Sequence, residues 1–465
     1  MGGGGGEVDR RYVEDASGYR GHAERVLTPH SGEALAAILV EAAAVEMPVT
    51  VAGAGTGVTG GRVAEGGWVI STEKLDRLQV RAGVALAGPG VSLQRLHDAA
   101  VRSGQLYPPD PTEWTASVGG TIATNASGSR SFRYGATRRC VRALTVATMD
   151  GRLRTFRRGE EIDFDVPALP MPSTTKNTAG YPLRPRMDWI DLFVGSEGTL
   201  GVVTDAELTL LPAPDGELIT GVVFFIGDDA AVAAVDAWRG VEGVRMLEYF
   251  DGPSLRMLAP RFDGVPPAAG AAVLVEAEGG EIDGWLDRLA AANALAGESW
   301  FAASDRDRER FRRFRHTLPE LVNDTMRRHG FPKLGSDYAV PLARNLEMLA
   351  IYRRTLEAEF YGRYVIFGHL GDAHVHVNIL PSTDAEFERG KALMLEMAVE
   401  AVRLGGTVSA EHGLGKRKAP LLRLMYSEAE IEAMRAVKRW LDPQWLLGRG
   451  TLLSVTGLDS GRAAS

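Results

Sequence analysis

The sequence predicts an α+β protein, and three observations carry that prediction. Helical and strand-like patterns alternate from Ser31 onward, glycine-rich loops join directly onto strands, and a proline-glycine cluster at Leu211-Pro212-Ala213-Pro214-Asp215-Gly216 separates two such sets.

Ser31-Gly32-Glu33 opens an alanine-rich helical pattern that runs through Met47 and breaks at Pro48, because a serine satisfies free first-turn N–H groups and proline cannot continue a helix. Val49-Thr50-Val51-Ala52 follows as a short strand, joined without a gap to the glycine loop Gly53 to Gly61. Strand-like runs then come at Gly67 to Ile70, Gly83 to Ala87, Ala143 to Ala147 and Gly201 to Val203, with a helical pattern at Ser92 to Ser103. Beyond the proline-glycine cluster the pattern restarts: strand at Leu218 to Phe225, helix at Asp228 to Trp238, strand at Ala271 to Glu276, helices at Gly284 to Ala296 and Asp305 to Met326, strand at Tyr364 to Phe367. Two strand-helix-strand units with an apolar strand face predict a ferredoxin-like α/β layer set as a cap against the first domain. The chain is accordingly divided into an N-terminal segment 1–24, a first domain 25–213, a cap 214–405, a C-terminal segment 406–455 and a tail 456–465.

With 465 residues and 45% hydrophobic content the chain can bury large cores. A net charge of -8 and a pI near 5.7 argue against nucleic acid or anionic membrane as main partner. The one cysteine, Cys140, permits neither an internal disulfide nor a four-thiolate iron–sulfur cluster, so any electrons handled must leave through another molecule. The start, Met1 followed by Gly2 to Gly6, resembles neither a secretory signal nor an anchor, and Ala34 to Met47 is too short and too charged to span a bilayer. The expected location is cytoplasmic, with peripheral attachment at a membrane left open.

Gly55-Thr56-Gly57-Val58-Thr59-Gly60 matches the dinucleotide fingerprint after a strand, yet Gly61-Arg62-Val63-Ala64-Glu65-Gly66-Gly67 has no helical periodicity. A Rossmann nicotinamide site, which needs a helix N-terminus there, is excluded. Glycines can instead turn several backbone N–H groups toward one anion, or simply make a tight turn. Two more clusters accompany this loop: Tyr107-Pro108-Pro109-Asp110-Pro111 leading to Ser117-Val118-Gly119-Gly120-Thr121-Ile122-Ala123-Thr124-Asn125-Ala126-Ser127-Gly128 and Tyr134-Gly135, and then Val194-Gly195-Ser196-Glu197-Gly198-Thr199-Leu200-Gly201-Val202-Val203.

On these motifs the chain resembles the flavoproteins of the vanillyl-alcohol oxidase and p-cresol methylhydroxylase type, within them the FAD-linked D-2-hydroxyacid dehydrogenases, from about Glu33 to Leu452. The resemblance implies a two-subdomain FAD-binding domain of the p-cresol methylhydroxylase type at 25–213 and a C-terminal helical segment that returns to it. It implies that Gly53, Ala54, Gly55, Thr56, Gly57, Thr59, Gly60 and Gly61 wrap the FAD pyrophosphate. Pro109, Asp110, Ser117, Gly119, Gly120, Thr124, Asn125, Gly128, Tyr134 and Gly135 line the isoalloxazine and ribityl parts, while Glu197, Gly198, Gly201 and Val203 approach the adenine end. No histidine lies between Gly53 and Gly61 or between Tyr107 and Gly135, so FAD is expected to be non-covalent.

Four of the nine histidines sit in two short runs, Gly368-His369-Leu370-Gly371-Asp372-Ala373-His374-Val375-His376-Val377-Asn378 and Ser409-Ala410-Glu411-His412-Gly413. On an extended strand His374 and His376 share a face, and His369 can fold back across the intervening turn. Imidazoles with a carboxylate suit a divalent metal, and a spare imidazole can move a proton. Ordinary hydrogen-bonded histidines are the bland alternative. The resemblance implies His369, His376 and Glu411 as metal ligands, His412 as base and Asn378 as a substrate or flavin contact. The metal is expected to be zinc, with manganese or iron also suited. Relatives often carry Gly-Asn where Ala373-His374 stands, so His374 is an extra ligand, a supporting partner or a substrate selector. Arg315 is the expected grip on a substrate carboxylate, with Lys333 a weaker contact; a solvated arginine among Arg308, Arg310, Arg312 and Arg313 is the alternative.

The resulting expectation is FAD-dependent, metal-assisted oxidation of a D-2-hydroxy acid of the lactate, glycolate or 2-hydroxyglutarate class, with hydride passing to flavin N5 and electrons leaving to a quinone, an electron-transfer flavoprotein, a cytochrome or oxygen. A homodimer is compatible with the sequence. The rivals are a subunit of a glycolate oxidase-type complex and, from another class, a metallohydrolase.

Overall fold

The computed structural model describes residues 8–214, 218–279 and 282–453. The glycine start, Asp215 and Gly216 of the boundary cluster, and the tail from 456 lie outside the described residues.

The first helix spans Gly32–Ala44, with Ser31 Oγ accepting from Ala34 N–H at 3.2 Å and Leu35, Ala36, Leu39 and Ala42 buried. It stops before the predicted Met47 because Glu46 takes a left-handed φ of 53° and Met47 N–H closes back on Ala42 O at 2.8 Å. Val49–Ala52 pairs in parallel with Trp68–Ser71, whose other edge pairs in parallel with Arg25–Leu27. A second, five-stranded antiparallel sheet runs in the spatial order Leu78–Arg81, Val84–Ala87, Val202–Thr209, Val141–Ala147, Leu153–Arg157. The glycine clusters lie in the connections of these two sheets, which form the two subdomains expected of the first domain.

The cap begins with four strands, Leu218–Phe225, Val244–Asp251, Ala271–Glu278 and Trp300–Phe301, with helix Asp228–Trp238 between the first two and Ile282–Ala291 between the last two. In space they lie fourth, first, third, second, each antiparallel to its neighbour, which is the ferredoxin-like arrangement. The sheet is larger than predicted. It continues beyond Val244–Asp251 through the hairpin Tyr364–His369 and His374–Ile379 to Leu334–Gly335, making seven strands. Side chains alternate across it: Val223 and Phe225 pack with Ala231 and Val235, while Val222 and Phe224 pack with Phe311 and Phe314 of helix Asp305–His329. The helix predicted to reach Ala296 ends at Ala291, where Asn293 turns left-handed at φ 53°.

The C-terminal segment returns to the first sheet. Val49 N–H donates to Leu446 O and Gly448 N–H to Val49 O, both at 2.8 Å. Thr59 O accepts from the N–H groups of Lys416 and Arg417 at 3.0 and 3.1 Å. A Cβ on Gly415 would stand 2.2 Å from Thr59 O, so only glycine permits this approach.

Candidate active site

A cavity of about 1490 Å³ runs from the glycine loop to the histidines of the cap. That exceeds the roughly 300–1,000 Å³ of an ordinary single-ligand pocket and leaves room for a dinucleotide with a small substrate. Its wall includes Gly53, Ala54, Gly55, Thr56, Gly57, Thr59 and Gly61 of the first loop, and Ser117, Gly119, Gly120, Thr124 and Gly128 of the second. Glu197, Gly198, Gly201 and Val203 complete this end.

Among the described residues, none accepts a hydrogen bond from the backbone N–H groups of Ala54 to Thr59. Such a run of free donors fits a pyrophosphate. The loop is held open from behind: Asp15 Oδ2 accepts from Gly60 N–H at 2.7 Å, and Arg62 Nη1 donates to Gly53 O at 2.9 Å. Bare glycine also brings the two loops together, since a Cβ on Gly53 would meet Ser117 Oγ at 2.7 Å.

Six of the residues implied for FAD stand off this wall. Gly60 is tied to Asp15, and Asp110 is engaged by Arg130 at 3.3 Å and by Ser129 Oγ at 3.2 Å, while Pro111 and Thr112 line the cavity beside Pro109 and Asp110. Asn125 accepts from Arg138 N–H at 2.9 Å; Tyr134 donates to Glu278 at 2.7 Å; Gly135 ends the short helix Ser131–Tyr134 at φ 81°. These groups support the wall rather than form it.

At the other end the strand register brings His369 opposite His374, and Phe367 opposite His376. Glu411 arrives from the C-terminal segment. His369 Nε2 and His376 Nε2 each lie 3.3 Å from Glu411 Oε1. One ligand atom each of His369, His374, His376 and Glu411 can be chosen within 4.8 Å of one another, and likewise of Asp337, His376, Glu411 and His412. Two imidazoles and a carboxylate aimed at one point fit a divalent cation of the zinc, iron or manganese kind. His412 stacks on His376 with ring centres 5.4 Å apart, its Nε2 3.6 Å from Glu411. Arg315, Lys333 and Asn378 face the same cavity.

Two family models match this chain: an FAD binding domain over residues 23–157 and the C-terminal domain of FAD linked oxidases over residues 218–452. It is 34% identical to a D-lactate dehydrogenase of Archaeoglobus fulgidus, over 92% of this chain and 91% of the relative. The chain belongs to the FAD-linked D-2-hydroxyacid dehydrogenase family. A D-2-hydroxyglutarate dehydrogenase of Xanthomonas citri pv. viticola is 30% identical over 92% of this chain and 89% of its own. The glycolate oxidase subunit GlcD of Bacillus subtilis is 28% identical over 94% and 90%. In fold, an alkyldihydroxyacetonephosphate synthase structure superposes with a TM-score of 0.64 at 16% identity, covering 91% of this chain and 76% of that one. The match to an FAD binding domain and the similarity to hydroxyacid dehydrogenases do not favour the hydrolase rival.

Three supporting residues of this dehydrogenase carry no signal in the sequence. Glu248, on a fully buried strand, takes His369 Nδ1 on one oxygen at 2.6 Å and Arg315 Nε on the other at 2.9 Å. Burial alone would raise its carboxyl, but His369 and Arg315 outweigh burial and hold it well below the usual range. Burial likewise works against a proton on His369, yet Glu248 and Glu411 raise that ring to about 9, a field that favours positive charge at the His369–Glu411 junction. Lys176, 2% exposed, lies 3.3 Å from Glu411 Oε2 and 3.4 Å from Asp372 Oδ2. Asp337 Oδ2 accepts from the backbone N–H of His412 at 3.0 Å.

His412 is pushed down to about 4, chiefly by burial, so its ring is neutral at pH 7. Lys333 is open to the cavity yet enclosed by protein, and that enclosure together with Lys418 lowers it to about 8. Arg315 already spends Nε on Glu248 and Nη2 on Thr112 at 3.2 Å; Nη1 makes no hydrogen bond among the described residues. Asn378 is 1% exposed with neither amide atom hydrogen-bonded among the described residues, though it lines the cavity. A bound molecule is the natural partner for both.

Proposed function

We propose that this dehydrogenase oxidises a small D-2-hydroxy acid to the 2-oxo acid with metal assistance and non-covalent FAD. The observation that carries the reading is that His369, His376 and Glu411 converge, beside His412, on the cavity that the glycine loop opens. The named relatives act on D-lactate, glycolate or D-2-hydroxyglutarate, which supports that substrate class and its handedness.

When bound, FAD supplies the acceptor for the Cα hydride and a divalent cation lowers the pKa of the substrate hydroxyl. His412, neutral at pH 7, takes the hydroxyl proton. Arg315 offers its remaining Nη1 to the substrate carboxylate, with Glu248 fixing the angle of the guanidinium, and Lys333 adds a second positive charge. Asn378 presents its unpaired amide to substrate or flavin. Electrons then leave to an external acceptor, since Cys140 is buried and alone.

Anaerobic titration of the FAD-loaded protein with D- and L-lactate, glycolate and D-2-hydroxyglutarate tests the reading through bleaching of the flavin. Reduction by a D-acid or glycolate, abolished by chelator and restored by zinc or manganese, is expected. Full reduction by protein rigorously freed of metal would overturn the metal's role; no reduction by any acid would overturn the substrate class.

A further inference from the structure

His374 is the histidine for which the reaction above has no use, and it is the most deeply buried of the four, at 0% exposure. It does not line the cavity. Its Nε2 lies 3.2 Å from Asp337 Oδ1, and its Nδ1 meets no partner among the described residues. A buried imidazole with a nitrogen left unmet is a polar group waiting for a partner.

Its position supplies one. The ring centre is 4.6 Å from that of His376 and 5.3 Å from that of His369. His374 pairs across the hairpin with His369 and shares a strand face with His376, so the register itself turns three imidazoles toward one point. A common pattern runs through them. His369 has Glu248 on Nδ1 at 2.6 Å, His376 has the Ser336 carbonyl on Nδ1 at 3.1 Å, and His374 has Asp337 beside it. Metal-bound histidines are backed in this way, with one nitrogen oriented by an oxygen acceptor and the other left for the ion.

We propose that the cation is held by three imidazoles and one carboxylate, His369, His374, His376 and Glu411, with His374 closing the site from the protein side. This rests on the metal-assisted reading above. Four protein ligands would saturate a tetrahedral ion, so a site that also receives a substrate hydroxyl needs an ion accepting five or six ligands. The third nitrogen also draws the preference away from ions that favour oxygen, toward those that imidazole suits, such as iron(II), nickel(II) or zinc.

The test loads the FAD-bound protein with one equivalent of Cu(II) and counts the coordinated imidazoles by pulsed EPR, in the native chain and in His374→Asn. Three imidazoles in the native protein and two in the variant are expected. Chelator competition should show more than the 10–100-fold affinity loss typical of a merely orienting partner. Two imidazoles in the native protein, or in His412→Ala, which removes the other imidazole beside Glu411, would overturn the proposal while leaving the metal-assisted reading intact, and these counts decide even if His374→Asn does not fold. Failure of the native protein to bind the ion at all would overturn both.

Discussion

Glu248→Gln isolates the group on which both ends of the site lean. The carboxylate gives one oxygen to His369 at 2.6 Å and the other to Arg315 at 2.9 Å, and it is only 3% exposed. An amide of the same shape has one acceptor oxygen; its NH2 would face whichever N–H donor the oxygen does not take. A buried hydrogen bond to a charged group is worth about 1.5–3 kcal/mol. At 1.4 kcal/mol per decade this is roughly 10- to 150-fold in the equilibrium that depends on the stranded donor. Losing an outer partner of a metal-bound histidine independently leads to about 10–100-fold. Two constants measured on the FAD-loaded variant read this out: the metal dissociation constant by chelator competition, and the hydroxy-acid concentration that half-saturates flavin reduction. If the amide keeps Arg315, the first rises; if it keeps His369, the second does. Both constants within twofold of the parent would refute the claim that Glu248 organises the site.

His412→Ala should retain FAD and metal while slowing anaerobic flavin reduction about 10²–10⁴-fold, the usual reach of a positioned base; unchanged stopped-flow rates would exclude it. Lys176→Met leaves Asp372 and Glu411 buried without their ammonium and should cost about 3–5 kcal/mol in urea unfolding, whereas a loss under 1 kcal/mol would mean that the pair gains little from the charge. Ala373 holds a left-handed φ of 50° between His369 and His374, so Ala373→Gly should stabilise by roughly 0.5–1 kcal/mol, the relief of strain less the chain entropy of glycine, visible as a higher melting temperature. His316 is pushed down to about 4 by burial and by Arg315 and Arg312. Below its unfolded value near 6.5 the unfolded chain binds the extra proton, so stability falls as pH drops from about 6.5 toward 4. His316→Gln should flatten that part of the curve, and identical slopes for both proteins would count against it.

Legibility in the sequence followed local pattern. Leu218 to Phe225 and Asp228 to Trp238 are bounded apolar and amphipathic runs, and both are found over those residues. The strand that follows them in the chain, Val244–Asp251, escaped notice because Arg245, Glu248 and Asp251 interrupt its hydropathy although all eight positions are buried. Each charge is hidden by a partner distant in sequence: Arg245 by Glu276 and Glu278, Glu248 by His369 and Arg315, Asp251 by Arg353. The helices Asn345–Glu359 and Asp384–Arg403 also went unread, while Glu428–Leu441 falls within the C-terminal helical segment that the resemblance implied. Motif-bearing site residues were visible because glycine and histidine cluster by type. Lys176, Asp337 and Glu248 were not, since a single charged residue has no local signature that separates a buried support from a solvated surface.

The geometry of the proposed cation site reduces to one register. His369 opposite His374 and Phe367 opposite His376 hold only while the hairpin keeps its pairing, and a slip of one residue would send His374 and His376 to the other face together. Three constraints resist such a slip. The turn Leu370–Asp372 ends in left-handed Ala373, Val377 N–H is taken by Ser336 Oγ at 2.9 Å, and Gly368 lies so close to His376 that a Cβ there would come within 2.9 Å of its ring. Glu411 has no part in this register. Its backbone N–H and that of His412 reach the Asp337 carboxylate of the cap at 3.3 and 3.0 Å, while its own carboxylate is set by Lys176 at 3.3 Å and by Ser127 Oγ at 3.0 Å, groups of the first domain. The carboxylate of the proposed cation site is thus held from both domains at once.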